Sequence, residues 1–416
     1  MCTKPTNFLV KFCIIYALAI LLVIYSSGIA CAQLVDKDLP ERRGLKIGNT
    51  NIMVHAALRT DAIYDDNIFL SNTNEQSDWI TVLRPSVGIE IPHKDNMFSA
   101  DYELQEFFYD DFDHEDHPDH RARGLWEINF TNFSIAFKDT YKRFTNRAAI
   151  EDSSRIRQQN NDFRASMTSE FDQLGLEIGY TNKLRDYIST KIITGSMRYN
   201  DKDHMSHVGD FQVRYRFLPK TSVIFEVDAG FIEYDEDLHP DSFFVDPLIG
   251  LKGELTSKIT ADLRAGYRFH DYESGSVVIK DDFEGFVARG GLKFRMTDND
   301  LFSLNLERST YESTYQNINH YVGNFIRLGY THNFNNKLSA DINSSYQFNR
   351  YPDETVEDGV RAKRRDDILN AGASIKYLVQ EWITLQAGYE YRERDSKFNK
   401  FDYKDNLFTA SATIGF

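Results

Sequence analysis

The sequence predicts an all-β fold: a transmembrane antiparallel up-and-down β-barrel of about 18 strands over residues 51–416. Three observations lead to this prediction. Apolar and polar residues alternate with a period of two along segments of roughly 10 residues, the length of a tilted strand that crosses a bilayer. Short turns and long charged loops alternate between these segments. The last segment ends in an aromatic residue, Phe416.

The N-terminal residues 1–32 have the organisation of a secretory signal peptide. Two lysines precede an apolar run over residues 12–25, and Ala30 and Ala32 occupy the positions expected before a cleavage site. A retained anchor helix is the alternative, but its apolar run would be too short to span a membrane comfortably. Residues 33–50 are predicted to be a short periplasmic lead-in. The cysteines all lie in the predicted signal peptide: Cys2, Cys13 and Cys31.

Strand alternation is clear over residues 223–231, where Phe225 and Phe231 share one face and Glu226 and Asp228 share the other. A soluble sandwich would turn the apolar face inward, whereas a membrane barrel would turn it towards lipid. The strand length, the asymmetry of the connections and the high charge of the polar faces favour the barrel. No capped helical period and no linker argue for a second domain.

The connections give the strand number. Eight short turns and nine long loops, of which 111–121 and 350–366 are two, make 18 strands. Merging or splitting one hairpin would change this number by two. The short turns are expected at the periplasmic end and the long loops at the extracellular end.

Composition excludes several classes of protein. Asp and Glu total 63 against 48 Lys and Arg, and this acidic balance disfavours nucleic-acid binding. A mean hydropathy of −0.48 does not fit a helical membrane protein, and 14% aromatic residues disfavour disorder. No phosphate-binding glycine loop, zinc-hydrolase motif or redox motif is present. We therefore predict no enzymatic activity, no cofactor and no defined metal site.

The polar strand faces carry lysines and arginines that we expect to line a wet lumen. They could form an electropositive track for anionic sugars, or cross-strand ion pairs that hold the lumen in shape. The sequence does not decide between these alternatives. The ten residues are Lys138, Lys142, Arg214, Arg216, Arg264, Arg268, Arg289, Lys293, Arg295 and Arg327.

Three polar segments have both a binding interpretation and a plainer one, which the sequence favours. Residues 110–120 could bridge divalent cations or lipopolysaccharide, or form a solvated acidic loop. Residues 65–67 could bind a cation, or end a strand in a turn. A basic cluster could contact anionic glycan or lipopolysaccharide, or lie in a solvated loop; its members are Arg361, Lys363, Arg364 and Arg365.

Several short motifs resemble the putative β-barrel porin type 2 family. The first run, over residues 63–70, reads Ile-Tyr-Asp-Asp-Asn-Ile-Phe-Leu, and a Ser-Asp-Trp-Ile run follows at 77–80. Arg84-Pro85 in the second strand fits the same pattern. Leu45-Lys46-Ile47-Gly48, Asp139-Thr140-Tyr141 and Thr145-Asn146-Arg147 are similar to further stretches of the family.

The resemblance implies an outer-membrane barrel that acts as a porin-like channel or conduit. Some members are associated with exopolysaccharide export, so polysaccharide-export components are possible partners. Phe416 resembles the terminal signal that bacterial barrels present to their insertion machinery. We also expect contact with outer-membrane lipid and lipopolysaccharide. The alternative is a closed structural or glycan-binding barrel without pore activity.

Overall fold

The computed structural model describes residues 32–34, 42–146, 156–188, 202–236, 239–273, 282–313, 315 and 318–416. The predicted signal peptide lies outside these residues, except for Ala32. No helix among the described residues is long and apolar enough to cross a membrane.

The chain forms a closed antiparallel barrel. Each of its 18 strands, β3 to β20, pairs with the next along the chain, and β20 pairs with β3. The predicted strand number and up-and-down order are therefore confirmed. The strands are β1 (Ala32–Leu34), β2 (Arg42–Lys46), β3 (Met53–Asp65), β4 (Asp78–His93), β5 (Asn96–Tyr109), β6 (His117–Asn129), β7 (Phe133–Asn146), β8 (Ile156–Phe171), β9 (Leu174–Ile188), β10 (His204–Leu218), β11 (Thr221–Tyr234), β12 (Ser242–Glu254), β13 (Ile259–Tyr272), β14 (Phe283–Arg295), β15 (Asp300–Glu312), β16 (His320–Asn333), β17 (Leu338–Glu357), β18 (Val360–Gln380), β19 (Ile383–Ser396) and β20 (Tyr403–Gly415). Two 3₁₀ turns cover Asp113–Glu115 and Asn399–Phe401.

The apolar face of the wall points outward. On β11, Phe225 and Phe231 are 51% and 54% exposed, whereas Glu226 and Asp228 are 6% and 8% exposed. This is the reverse of a soluble sandwich and matches a wall with lipid outside and a polar lumen inside. The low mean hydropathy follows from this arrangement, because only one face of each strand needs to be apolar.

All eight predicted short turns lie at one end of the barrel. At the other end, the predicted long loop over 350–366 is wrong. Strands β17 and β18 continue through this region to a two-residue turn at Asp358 and Gly359, which have φ values of 49° and 79°. Left-handed residues in a two-residue turn match the twist of an antiparallel hairpin, so the strands extend to the turn itself.

The seam between β20 and β3 closes the barrel. Nine residue pairs join the strands, and Ala56 and Phe416 then exchange both backbone hydrogen bonds at 3.0 Å. The insertion role of Phe416 stays a prediction. The predicted lead-in contains β2 and the last two residues of β1, and β2 pairs with β3 through Leu45 and Lys46.

A disulfide across the seam tests closure. Ala57 and Gly415 are direct partners, and a Cβ at position 415 would lie 3.1 Å from the Ala57 Cβ. After a small adjustment this approaches the separation that a disulfide needs. In a background with Cys2, Cys13 and Cys31 replaced by serine, A57C/G415C should oxidise to a species with altered mobility in non-reducing gels. The pair A57C/G388C is the control and should not oxidise; failure of A57C/G415C to cross-link would contradict closure.

Candidate functional site

The ten predicted lumenal cations all lie on strand faces opposite the exposed apolar residues. On β13, for example, Arg264 and Arg268 alternate with the outward rings of Tyr267 and Phe269. The structure brings Arg264, Arg268 and Arg289 into ion pairs, and Arg214 pairs with a carboxylate lower on the wall. Arg216 donates to a turn carbonyl, and Arg327 lies over a phenylalanine ring. Four others make no ion pair or side-chain hydrogen bond with any residue that the structure describes: Lys138, Lys142, Lys293 and Arg295.

An ion-pair belt crosses the inner wall from β8 to β14. Arg164 donates to Asp210 at 2.9 Å and to Glu177 at 3.1 Å. Farther along, Glu226 accepts from both Arg264 and Arg289. Arg289 also donates to Asp228 at 3.0 Å. We define the belt as Arg164, Glu177, Asp210, Gln212, Glu226, Asp228, Asp262, Arg264 and Arg289.

All members of the belt except Asp262 line a cavity of about 350 Å³ on the lumenal side. Each of its three arginines contacts two carboxylates, and Lys183 and Lys252 also line the cavity, so five cations compensate the five carboxylates of the belt. The geometry therefore gives ion pairs rather than a bare electropositive track over this part of the wall. The sequence-based candidates omitted the acidic partners Glu177, Asp210 and Asp246, although period-two alternation places each on an inward face.

At the extracellular end, the β3–β4 loop covers part of the inner wall. Ile68 of this loop is buried against Ile80, Val82 and Tyr109. Ile80 and Val82 alternate with the outward Trp79, so their side chains point into the barrel. We call these four residues the first lobe. The loop therefore folds into the lumen rather than standing above it.

A second lobe contains a fully buried arginine. The Arg364 guanidinium lies 3.8 Å from the ring centroid of Phe401 and 4.4 Å from that of Tyr315. It also pairs with Asp366 at 2.8 Å. The solvated-loop interpretation of the basic cluster is therefore wrong for Arg364. The second lobe consists of Arg364, Asp366, Tyr315, Ile318, Tyr321, Tyr351, Phe398 and Phe401.

The two inward-folded loops touch each other. The Asn72 side chain, in the β3–β4 loop, donates to the Asn399 carbonyl in the β19–β20 loop. Leu70 from the first of these loops is buried with Tyr403, which follows the second. The contact joins both loops into one inner lining across the seam.

The tip of the β15–β16 hairpin also bends inward. The β14–β15 ladder stops at Ala288 and Arg308, although β15 and β16 stay paired up to Glu312. Glu312 accepts from the hydroxyls of Tyr234 at 3.0 Å and Tyr272 at 3.1 Å. Tyr234 is on β11, four strands away, or roughly 19 Å along the wall. The hairpin tip must leave the wall and enter the lumen to reach it.

Where the β14–β15 ladder stops, a side chain replaces a missing backbone hydrogen-bond donor. Arg308 Nε donates to the Phe286 carbonyl at 3.1 Å, and its Nη1 donates to Asn324 at 2.7 Å. A backbone carbonyl without its strand partner is costly in an apolar environment, so this contact offsets part of the lost pairing.

The carboxylates of the two acidic segments serve local structure. Asp65 accepts from the Asn67 amide, and Asp66 accepts from Asn406, so the predicted turn is present and ties β3 to β20. Oxygens of Asp65, Asp66 and Asp405 lie within 4.8 Å of one another.

The second acidic segment covers residues 110–120. Strand β6 begins at His117, so the predicted loop over 111–121 is shorter than expected. Within the segment, Asp116 accepts from the Tyr109 amide at 2.7 Å.

Comparison with known proteins identifies the family. The family model described as putative beta-barrel porin 2 matches residues 40–416. The chain belongs to this family. It is a porin-like β-barrel of the bacterial outer membrane. No protein with a curated description matches the chain.

Solved structures with a similar fold come from several bacteria. OpdK of Pseudomonas aeruginosa, solved with vanillate, is 10% identical, with 87% of this chain and 99% of OpdK covered and a TM-score of 0.48. OccAB3 of Acinetobacter baumannii is 14% identical, with 88% and 99% covered and a TM-score of 0.44. The FrpB iron transporter of Neisseria meningitidis is 8% identical, with 82% of this chain but 62% of FrpB covered and a TM-score of 0.44. Similarities this distant do not indicate a substrate for this chain.

Replacing Arg364 tests the second lobe of this porin-like barrel. Arg364→Ala should lower the free energy of unfolding by about 3–5 kcal/mol, because Asp366 would keep a buried charge without its partner. The matched control is Arg365→Ala, since the neighbouring side chain is exposed on the opposite face. Reversible urea unfolding of the refolded barrel in vesicles measures both variants. Equal stability of the two would contradict the buried pair.

Proposed function

We propose that this barrel is a channel for small polar solutes, which move along the ion-pair belt. The observation that carries the proposal is the inward set of charged groups of both signs on β8 to β14. Charged side chains are costly away from water, so a wall that carries them favours a hydrated lumen. Barrels of 16 to 18 strands are wide enough for an aqueous channel.

The compensated charge of the belt bears on selectivity. A solute that meets alternating donors and acceptors can exchange hydrogen bonds with the wall without being held by one dominant charge. We therefore expect weak binding of neutral and singly charged polar molecules. Solutes then pass along the belt, and the inward-folded lobes narrow the extracellular entrance.

A closed barrel is the second candidate, and the inward-folded loops favour it. In that case the long extracellular loops would bind surface glycan, and the lumen would conduct nothing. Passage of a polysaccharide, which the family resemblance implies, stays a prediction, because neither the fold nor the comparisons support it.

Planar-bilayer recording of the refolded barrel separates these candidates. The channel proposal predicts discrete conductance steps in potassium chloride. Replacing residues 66–77 by a short Gly-Ser linker should increase the conductance, because it removes the Ile68 contact of the first lobe. A barrel that is silent in its native form and conducts only after this replacement would support the closed candidate instead.

A change at Glu226 tests the belt itself. Glu226→Gln removes the carboxylate that Arg264 and Arg289 share, so the lumen gains positive charge. The reversal potential in a salt gradient should shift towards anion selectivity. Glu233→Gln on the same strand is the control, because this exposed side chain lies on the outward face. The same shift in both variants, or none in either, would contradict a conducting path along the belt.

A further inference from the structure

The basic cluster divides between the two faces of β18. Arg361, Lys363 and Arg365 lie on one face because they are two residues apart, whereas Arg364 points into the second lobe. Lower on the same strand, Leu369 shares the outward face with the three cations, and its partner on β17, Tyr346, is 41% exposed. The three cations therefore form an outward stripe above a lipid-facing surface, with about 7 Å between neighbouring positions.

The outward stripe makes no polar contact with the described part of the chain. All three side chains are exposed, and none makes an ion pair or side-chain hydrogen bond with any residue that the structure describes. Glu354 is opposite Lys363 in the strand register, yet no ion pair joins them. The next acid along β18 on this face, Asp367, accepts from Arg350 at 2.9 Å. The stripe is thus available to an external anion.

The position and rigidity of the stripe restrict what that anion can be. Strands β17 and β18 contain 20 and 21 residues, whereas the other barrel strands contain 13 to 16, so their hairpin rises beyond its neighbours. On the inner face, the aromatic contacts of Arg364 fix the same segment in place. Cations on an anchored segment just above the outward apolar residues match the layer of outer-leaflet head groups.

We propose that Arg361, Lys363 and Arg365 bind the phosphate groups of lipopolysaccharide in the outer leaflet. Guanidinium and ammonium groups form charge-assisted hydrogen bonds with phosphate oxygens, and a row of three contacts more than one phosphate. This site depends on the outer-membrane location and not on conduction. Failure of the channel proposal would leave it unaffected.

Binding of phosphorylated lipopolysaccharide to the refolded full barrel tests the site. The triple variant R361Q/K363Q/R365Q should bind at least about tenfold more weakly than the native protein. The matched control K138Q/K142Q/K293Q removes the same charge from inward positions and should bind as the native protein does. Heat-modifiable gel mobility checks that both variants are folded.

Two further binding measurements identify the chemical group that the stripe binds. Enzymatically dephosphorylated lipopolysaccharide should bind the native barrel as weakly as the triple variant binds the intact lipid. Equal binding of the dephosphorylated form would overturn the proposal, as would an unchanged affinity of the triple variant. If inorganic phosphate alone bound as tightly as lipopolysaccharide, the stripe would be a site for free phosphate and the lipid assignment would be wrong.

Discussion

Backbone hydrogen bonding in hydrocarbon is the constraint on which this structure depends. No water is available there, so each strand needs a partner on both edges, and a closed sheet supplies this without disulfides. The β20–β3 seam completes the pairing, down to the exchange between Ala56 and Phe416. Where the β14–β15 ladder stops early, the Arg308 side chain donates a hydrogen bond to the Phe286 carbonyl. The same requirement thus explains the closure and its local exception.

Closure separates a lipid side from a lumen side, and residues of the strands in the wall alternate between the two. Charges on inward faces then become close neighbours across strands, and the shared carboxylate of Glu226 links arginines from β13 and β14. In the short segment 361–365, neighbouring residues lie on opposite faces of the strand. One residue along the strand distinguishes the buried Arg364 from the exposed Arg365.

The lumen is shaped by segments that leave the wall. The β3–β4 loop and the β19–β20 loop line the region near the seam, and the β15–β16 tip reaches across to Tyr234. Apolar residues on inward faces, such as Ile80 and Val82, are covered by these segments and are not left against water. The extracellular end is therefore narrower than an 18-strand wall alone would make it.

Local signals account for what the sequence could predict. Alternation and turn residues are short-range, so the strand number, the short turns and the inward positions of the ten cations follow from them. The hairpin over 350–366 does not follow from the sequence, because strand pairing overrides its charged, loop-like composition. The surroundings of Arg364 do not follow from it either, since Tyr315 and Phe401 come from loops far apart in the chain.

Spin-label scanning of β11 tests the central claim, that the apolar face of the wall contacts lipid and the charged face contacts the lumen. A nitroxide would be placed at each position from 223 to 231 in the barrel refolded into vesicles. The account predicts that odd-numbered positions are accessible to oxygen dissolved in lipid and even-numbered positions to a water-soluble nickel chelate. The opposite phase, or the absence of a period of two, would contradict it.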